Sequence, residues 1–147
     1  MGAGRLSNAD LAARTAPVTT ALRLALRDAG ITADAGLVVA LSGGSDSAAL
    51  LAATAQCHPQ VRAVHVNHGL GAHAAPLEAA ARDLCARLGI ALQVCAVEVS
   101  RTERARLGLE GAARQARRAA LIAATGAEEL LLTAHHADDQ LETVLLK

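Results

Sequence analysis

Six consecutive small and polar residues, Ser42-Gly43-Gly44-Ser45-Asp46-Ser47, carry the densest chemistry in the chain. Two glycines let the backbone take positive φ and bring N–H groups close to a ligand, while three hydroxyls add donors. A helix opening near residue 46 points its unpaired amides and the positive end of its dipole at the same place. Together these features make a nest for phosphate or pyrophosphate. Asp46 is the odd member, because a carboxylate beside phosphate repels it unless a divalent cation stands between them. Its presence predicts Mg²⁺. A plain helix cap by Ser45 or Asp46 requires one such residue, not the whole run. The spacing matches neither Gly-x-Gly-x-x-Gly nor Gly-x4-Gly-Lys-Ser/Thr, so a dinucleotide site and a Walker loop are both disfavoured.

Two more polar clusters stand out, Asn67-His68-Gly69 and His135-His136-Ala137-Asp138-Asp139. Each follows a short apolar run, as the first loop does. The runs 37–41, 61–66, 91–99 and 129–132 read as strands buried in a parallel sheet. Between them, helices are expected over 48–55, 77–88 and 101–122, with another from 17 to 29 before the first strand. Residues 1–15, polar and Ala-rich, are expected to be a flexible start, leaving 16–147 as one phosphate-binding unit if the phosphate reading holds. Strand, loop, helix, repeated four times, is the pattern of a doubly wound parallel α/β sheet with helices on both faces, Rossmann-like in kind. Ligands of such sheets bind outside the carboxyl ends of the strands, where all three polar clusters fall. His65, inside a strand, reads as structural, and His58 and His73 as surface residues.

Composition narrows the classes further. The 147 residues are 52% hydrophobic with no Phe, Tyr or Trp, so the core must come from aliphatic residues and none of those rings is available to stack on a base. Fourteen basic residues balance fourteen acidic ones, which removes any overall attraction for a phosphate polymer. The only lysine is Lys147, which excludes a Walker or Schiff-base lysine inside the domain. No 18-residue apolar run lacks a charge, so a membrane span is not expected. Cys57, Cys85 and Cys95 form no Cys-x-x-Cys pair, which points to small buried hydrophobes in a reducing cytoplasm.

Residues 42–47 resemble the SGGxDS pyrophosphate loop of the N-type ATP pyrophosphatases, the PP-loop family, whose members cleave ATP between its α and β phosphates and adenylate an acceptor. Two further stretches, His65-Val-Asn-His-Gly-Leu70 and residues 133–143, are similar to strand ends of the tRNA(Ile)-lysidine synthetases. Glu110-Gly-Ala-Ala-Arg114-Gln-Ala-Arg117 resembles the Glu-x-x-Ala-Arg-x-x-Arg helix of that family. The resemblance runs from about residue 37 to 147 and implies an adenine nucleotide alpha hydrolase-like fold, incomplete at its C-terminal end. It also implies a carbon–nitrogen ligase in the cytoplasm. ATP would activate the wobble cytidine of tRNA(Ile), and free L-lysine would displace AMP to form lysidine.

On that resemblance Ser42, Gly43, Gly44, Ser45, Asp46, Ser47 and His68 hold the nucleotide, and Asp46 and Asp139 share Mg²⁺. Arg114 and Arg117, three apart on one helix, and His135 face phosphate or developing charge. A homodimer remains open. Gly71 replaces a usual arginine and Arg118 a usual aromatic, and the family's tRNA-gripping domains lie beyond Lys147. The chain alone is therefore expected to handle ATP and not to hold tRNA unaided. Other readings are a PP-loop enzyme of the thiolation or amidotransferase type, a non-catalytic nucleotide-binding module, and a hydrolase with metal on His135, His136, Asp138 and Asp139. A Glu110–Arg114 pair at i, i+4 also reads as a solvated salt bridge.

Overall fold

The computed structural model describes residues 6–69 and 71–134. Helix α1 (Asn8–Asp28) leads into strand β1 (Gly36–Ala40), then α2 (Ser45–Cys57), β2 (Val61–Asn67), α3 (Ala74–Leu88), β3 (Ala91–Ala96), α4 (Arg101–Ala124) and β4 (Glu129–Leu132). The four strands form one parallel sheet in the order β3-β2-β1-β4. The chain thus steps outward from β1 to β2 to β3, then returns past all three to lay β4 against the free side of β1. That reversal, between β1 and β4, is the topological switch point at which such sheets bind ligands.

Alternation along the strands sends side chains to two faces. Leu37, Val39 and Leu41 pack with Ala63, Leu130 and Leu132 under Leu26 of α1, Leu51 of α2 and Ala81 and Cys85 of α3. Val38, Val64 and Leu131 face the other way, against Leu121 of α4. Helices therefore cover both faces, three on one side and α4 on the other. Val38, Val39, Val64 and Leu51 are fully buried, each contributing about 2 kcal/mol relative to exposure. Apart from Cys85 this core is aliphatic, as the composition requires.

The start of the chain departs from expectation. Helix α1 opens at Asn8, nine residues before Pro17, so residues 8–15 are helical and not a flexible lead. Its first amides are satisfied by a capping box, Ser7 Oγ accepting from the Asp10 amide at 3.1 Å and the Asp10 carboxylate accepting from the Ser7 amide at 3.2 Å. The buried stripe of α1 includes Thr15 and Thr19, whose hydroxyls bond back to the carbonyls of Leu11 and Thr15. A stripe part-built from threonine carries little apolar periodicity. Helix α4 is broken at Gly108, which takes φ 74 and ψ 169.

At the amino edge of the sheet, Arg62 of β2 reaches across β1 to Glu129 of β4 through two hydrogen bonds of 2.8 and 2.5 Å. A β-carbon on Gly36 would stand 3.0 Å from Glu129 Cγ, so a glycine there leaves the carboxylate its path. His58 is a second departure. It is buried, with Nδ1 accepting from the Gln60 amide at 3.2 Å, so Nε2 carries the hydrogen and donates to the Thr32 carbonyl at 3.1 Å. The ring clamps two loops together and does not sit on the surface.

Candidate functional site

The carboxyl ends of β1, β2 and β4 open onto a cavity of about 340 Å³, walled on one side by the start of α3 and on the other by Arg117 and Leu121 of α4. Ser42 and Ser47 line it, so the loop predicted to cradle phosphate stands at the mouth of the switch point.

Local chemistry explains the loop's shape. Ser47 is buried, and its hydroxyl accepts from the Ser42 amide at 3.1 Å, meets the Ser42 hydroxyl at 2.9 Å and lies 3.2 Å from the Gly44 carbonyl. The Ser42 hydroxyl in turn accepts from the Gly44 amide at 3.3 Å. Gly43 has φ +91, and a β-carbon on it would fall 2.5 Å from the Leu77 carbonyl oxygen in the first turn of α3. Only glycine fits there without moving backbone.

Gly44 is the N-cap of α2, and no side chain caps that end. Ser45 and Asp46 are therefore inside the first turn and are not caps. Both are exposed, and the Asp46 carboxylate complements the positive end of the helix. Asp46 stands beside the cavity, not in its wall.

His68 and Arg117 meet across the mouth, Arg117 Nη2 donating to His68 Nε2 at 3.4 Å. That contact needs a lone pair on Nε2, so the ring is neutral there. Burial lowers the proton affinity of His68, and the charges of Arg117 and His65 lower it further.

The second arginine of the motif behaves differently. Arg114 pairs with Glu110 at 3.7 Å, with side chains 74% and 93% exposed, and does not line the cavity. The two arginines are three positions apart, and only Arg117 turns towards the strand ends. His135 and Asp139, and the His136 and Asp138 of the hydrolase reading, lie outside the described residues. Strands β1 and β4 are neighbours in the sheet.

Some contributors were given no role of their own from the sequence. The Thr133 hydroxyl, just past β4, is buried at the cavity without a partner among the described residues. Asn67 donates to Glu78 at 2.6 Å and accepts from the Gly69 amide at 2.8 Å, tying the end of β2 to α3. The Asn67 bond, with help from Arg82, holds the Glu78 carboxyl below its usual range. His73, expected on the surface, is exposed and also lines the cavity. A Thr after a strand and an Asn before His-Gly were the available signals.

The three thiols are reduced and dispersed, with Cys57 and Cys85 on one face of the sheet and Cys95 on the other. Burial pushes Cys85 up to about 11, so it is a neutral core group. No cluster of three metal-ligating side chains occurs among the described residues, and no helix among them is long and apolar enough to cross a membrane.

A parallel sheet with its polar loop at the switch point defines an α/β nucleotide-binding class. A sequence profile of the PP-loop domain, an ATP-binding family, matches residues 17–147, and the chain belongs to that family. Among curated proteins it is 50% identical over 120 residues to a tRNA(Ile)-lysidine synthase of Xanthomonas campestris, a match covering 79% of this chain and 27% of that protein. It is 52% identical over 120 residues to the tRNA(Ile)-lysidine synthase of Ralstonia nicotianae, covering 76% and 25%. The chain thus spans about a quarter of the length of the curated relatives it matches.

Two solved structures share the fold. They are a U34-tRNA thiolase from Methanococcus maripaludis, at TM-score 0.66 and 20% identity over 88% of this chain and 47% of that one, and an NH3-dependent NAD synthetase from Campylobacter jejuni, at 0.59 and 21% over 90% and 59%.

Proposed function

We propose that this chain is the ATP-binding, adenylating part of a tRNA(Ile)-lysidine synthase, acting in the cytoplasm. The observation that carries the reading is the loop of residues 42–47, an uncapped helix end with a glycine pressed against Leu77, beside a cavity holding an unpartnered Thr133 hydroxyl. Those donors fit a triphosphate, and the names of the relatives supply the acceptor.

In this reading the amides at the start of α2 and the Ser42 hydroxyl hold the β and γ phosphates. The wobble cytidine's O2 attacks the α phosphorus of ATP while the bond to the departing pyrophosphate breaks. The amine of free L-lysine then attacks C2, AMP leaves, and the amine's proton passes to a nearby base, a task Asp139 takes in this reading as the alternative to sharing the metal. Arg117 provides fixed positive charge at the cavity mouth, and the neutral His68 beside it accepts a hydrogen bond. His135 remains a candidate phosphate contact, and Arg114 a contact for the acceptor. Asp46, with Asp139, would hold Mg²⁺, which supplies charge neutralisation for the pyrophosphate when bound.

Calorimetric titration of ATP into the chain with and without Mg²⁺ tests the reading. Binding is expected to depend on Mg²⁺ and to fall at least tenfold in Asp46→Asn. Absence of ATP binding sinks the nucleotide assignment, and unchanged affinity in Asp46→Asn sinks the metal assignment alone.

A further inference from the structure

His65 is a motif residue to which the proposed function gives no task. It lies on β2 only 3% exposed, in the wall of the cavity, yet its ring is not there to fill space alone. Its Nδ1 is 2.7 Å from the carbonyl oxygen of Leu41. A carbonyl only accepts, so Nδ1 carries the hydrogen and donates. Leu41 is the last residue before the phosphate loop, and its own amide donates to the Val64 carbonyl at 2.9 Å. Both backbone groups of Leu41 are thus held by β2, one by the strand's backbone and the other by the His65 ring.

Beyond Leu41 the loop is a relay of short-range bonds. The Ser42 amide is held by Ser47, the Ser42 hydroxyl meets Ser47 and receives the Gly44 amide, and Gly44 opens α2. Each bond is set by the one before it, and the series begins where the chain leaves the sheet. Without the His65 donor, the buried Leu41 carbonyl would lack this hydrogen bond, and the peptide plane joining Leu41 to Ser42 would lose a restraint on its rotation. Rotation of that plane swings the Ser42 amide away from Ser47. We propose that His65 is the positioning residue of the phosphate loop, fixing the Leu41–Ser42 peptide so that the loop's donors are aimed before any ligand arrives. Its bearing on ATP rests on the proposed nucleotide-binding function. Its bearing on the loop does not.

The test compares the chain with His65→Asn, whose side-chain amide places an N–H where Nδ1 stood, and His65→Leu, which fills the space without a donor. Amide hydrogen exchange at Ser42 and Gly44 is expected to quicken at least tenfold in His65→Leu and to stay within threefold in His65→Asn. Val38 and Val39 in the core should be unchanged in both. ATP affinity should follow the same order. Equal exchange at Ser42 and Gly44 in all three proteins overturns the proposal, as does equal quickening in both variants. If the exchange pattern appears and no protein binds ATP, the loop role stands and the nucleotide reading fails. Should His65→Leu not fold, the imidazole ¹⁵N spectrum of the unaltered chain decides: the Nδ1–H tautomer is expected, and the Nε2–H tautomer overturns the assignment.

Discussion

The α-carbon of Gly43 faces the carbonyl of Leu77 so closely that a methyl group between them would lie 2.5 Å from the oxygen. Loop and helix α3 are therefore in backbone contact, and the phosphate loop is backed by a wall that cannot yield as a side chain could. Gly43→Ala meets both this clash and the cost of φ +91 for an L residue. We expect a loss of about 1–3 kcal/mol in stability and at least tenfold in ATP affinity, read by urea unfolding and calorimetry.

Ser47 is the hub of the loop, joined to Ser42 and Gly44. Ser47→Ala strands the Ser42 amide, a cost of about 1–3 kcal/mol. Ser42→Ala keeps that amide paired with the Ser47 hydroxyl and is expected to cost less. A larger loss in Ser42→Ala than in Ser47→Ala, by chemical denaturation, would contradict this hierarchy.

Arg117 and Arg114 should separate cleanly. Arg114→Gln removes only an exposed i, i+4 pair, so stability should change by under about 0.5 kcal/mol and ATP affinity by less than twofold. Arg117→Gln removes the cation at the cavity mouth and should weaken ATP binding about tenfold, in line with one charge-assisted hydrogen bond. Equal effects in the two variants would show that the helix face is read wrongly.

His68 reports on the same contact. Its proton affinity is depressed in the folded chain, first by burial and then by Arg117, so the neutral ring's contribution to stability is present above the ordinary histidine pKa and fades as pH falls through the lower folded value. NMR titration should place the His68 midpoint below that of an exposed histidine. Arg117→Gln should move it only part of the way back, because burial, the larger cause, remains.

The bridge between Arg62 and Glu129 governs acid behaviour. The Arg62 guanidinium holds the Glu129 carboxyl at about 2, while the unfolded chain takes up that proton in the usual range near pH 4.3. The pair's stabilisation, on the order of 2 kcal/mol after solvent screening, is thus complete above about pH 5 and is lost as the pH falls from there towards 2. Unfolding free energies at pH 6 and pH 3 should differ more for the unaltered chain than for Arg62→Met.

Much of the fold was legible from residue order. The apolar run 37–41 is short and continuous, the mark of a buried strand, and Glu129–Leu132 is the strand β4 as expected. The polar loops followed the strands, which placed the site at one edge of the sheet from sequence alone. Three things were hidden. The first turns of α1, where the buried residue is Thr15, carry no apolar stripe that extends the helix expected over 17–29, and its capping box outweighed the start signal of Pro17. His58 sits between a helix and a strand, just before a proline, where only the fold shows that Thr32 lies against it. Helical spacing put Arg114 and Arg117 on neighbouring turns but could not say which one the cavity would meet.

Gly108 resets the screw of helix α4. With φ at 74 the segment before it and the segment after it are separate helices with independent angular phase. Residues gained or lost between Ser100 and Gly108 change the length of the first segment without rotating Arg117 about the second. The second segment is keyed to the domain by Ala112, Ala113 and Leu121, which are buried, whereas residues 101–107 bury nothing fully. Sequence can therefore drift in length there while the guanidinium keeps its bearing on the strand ends.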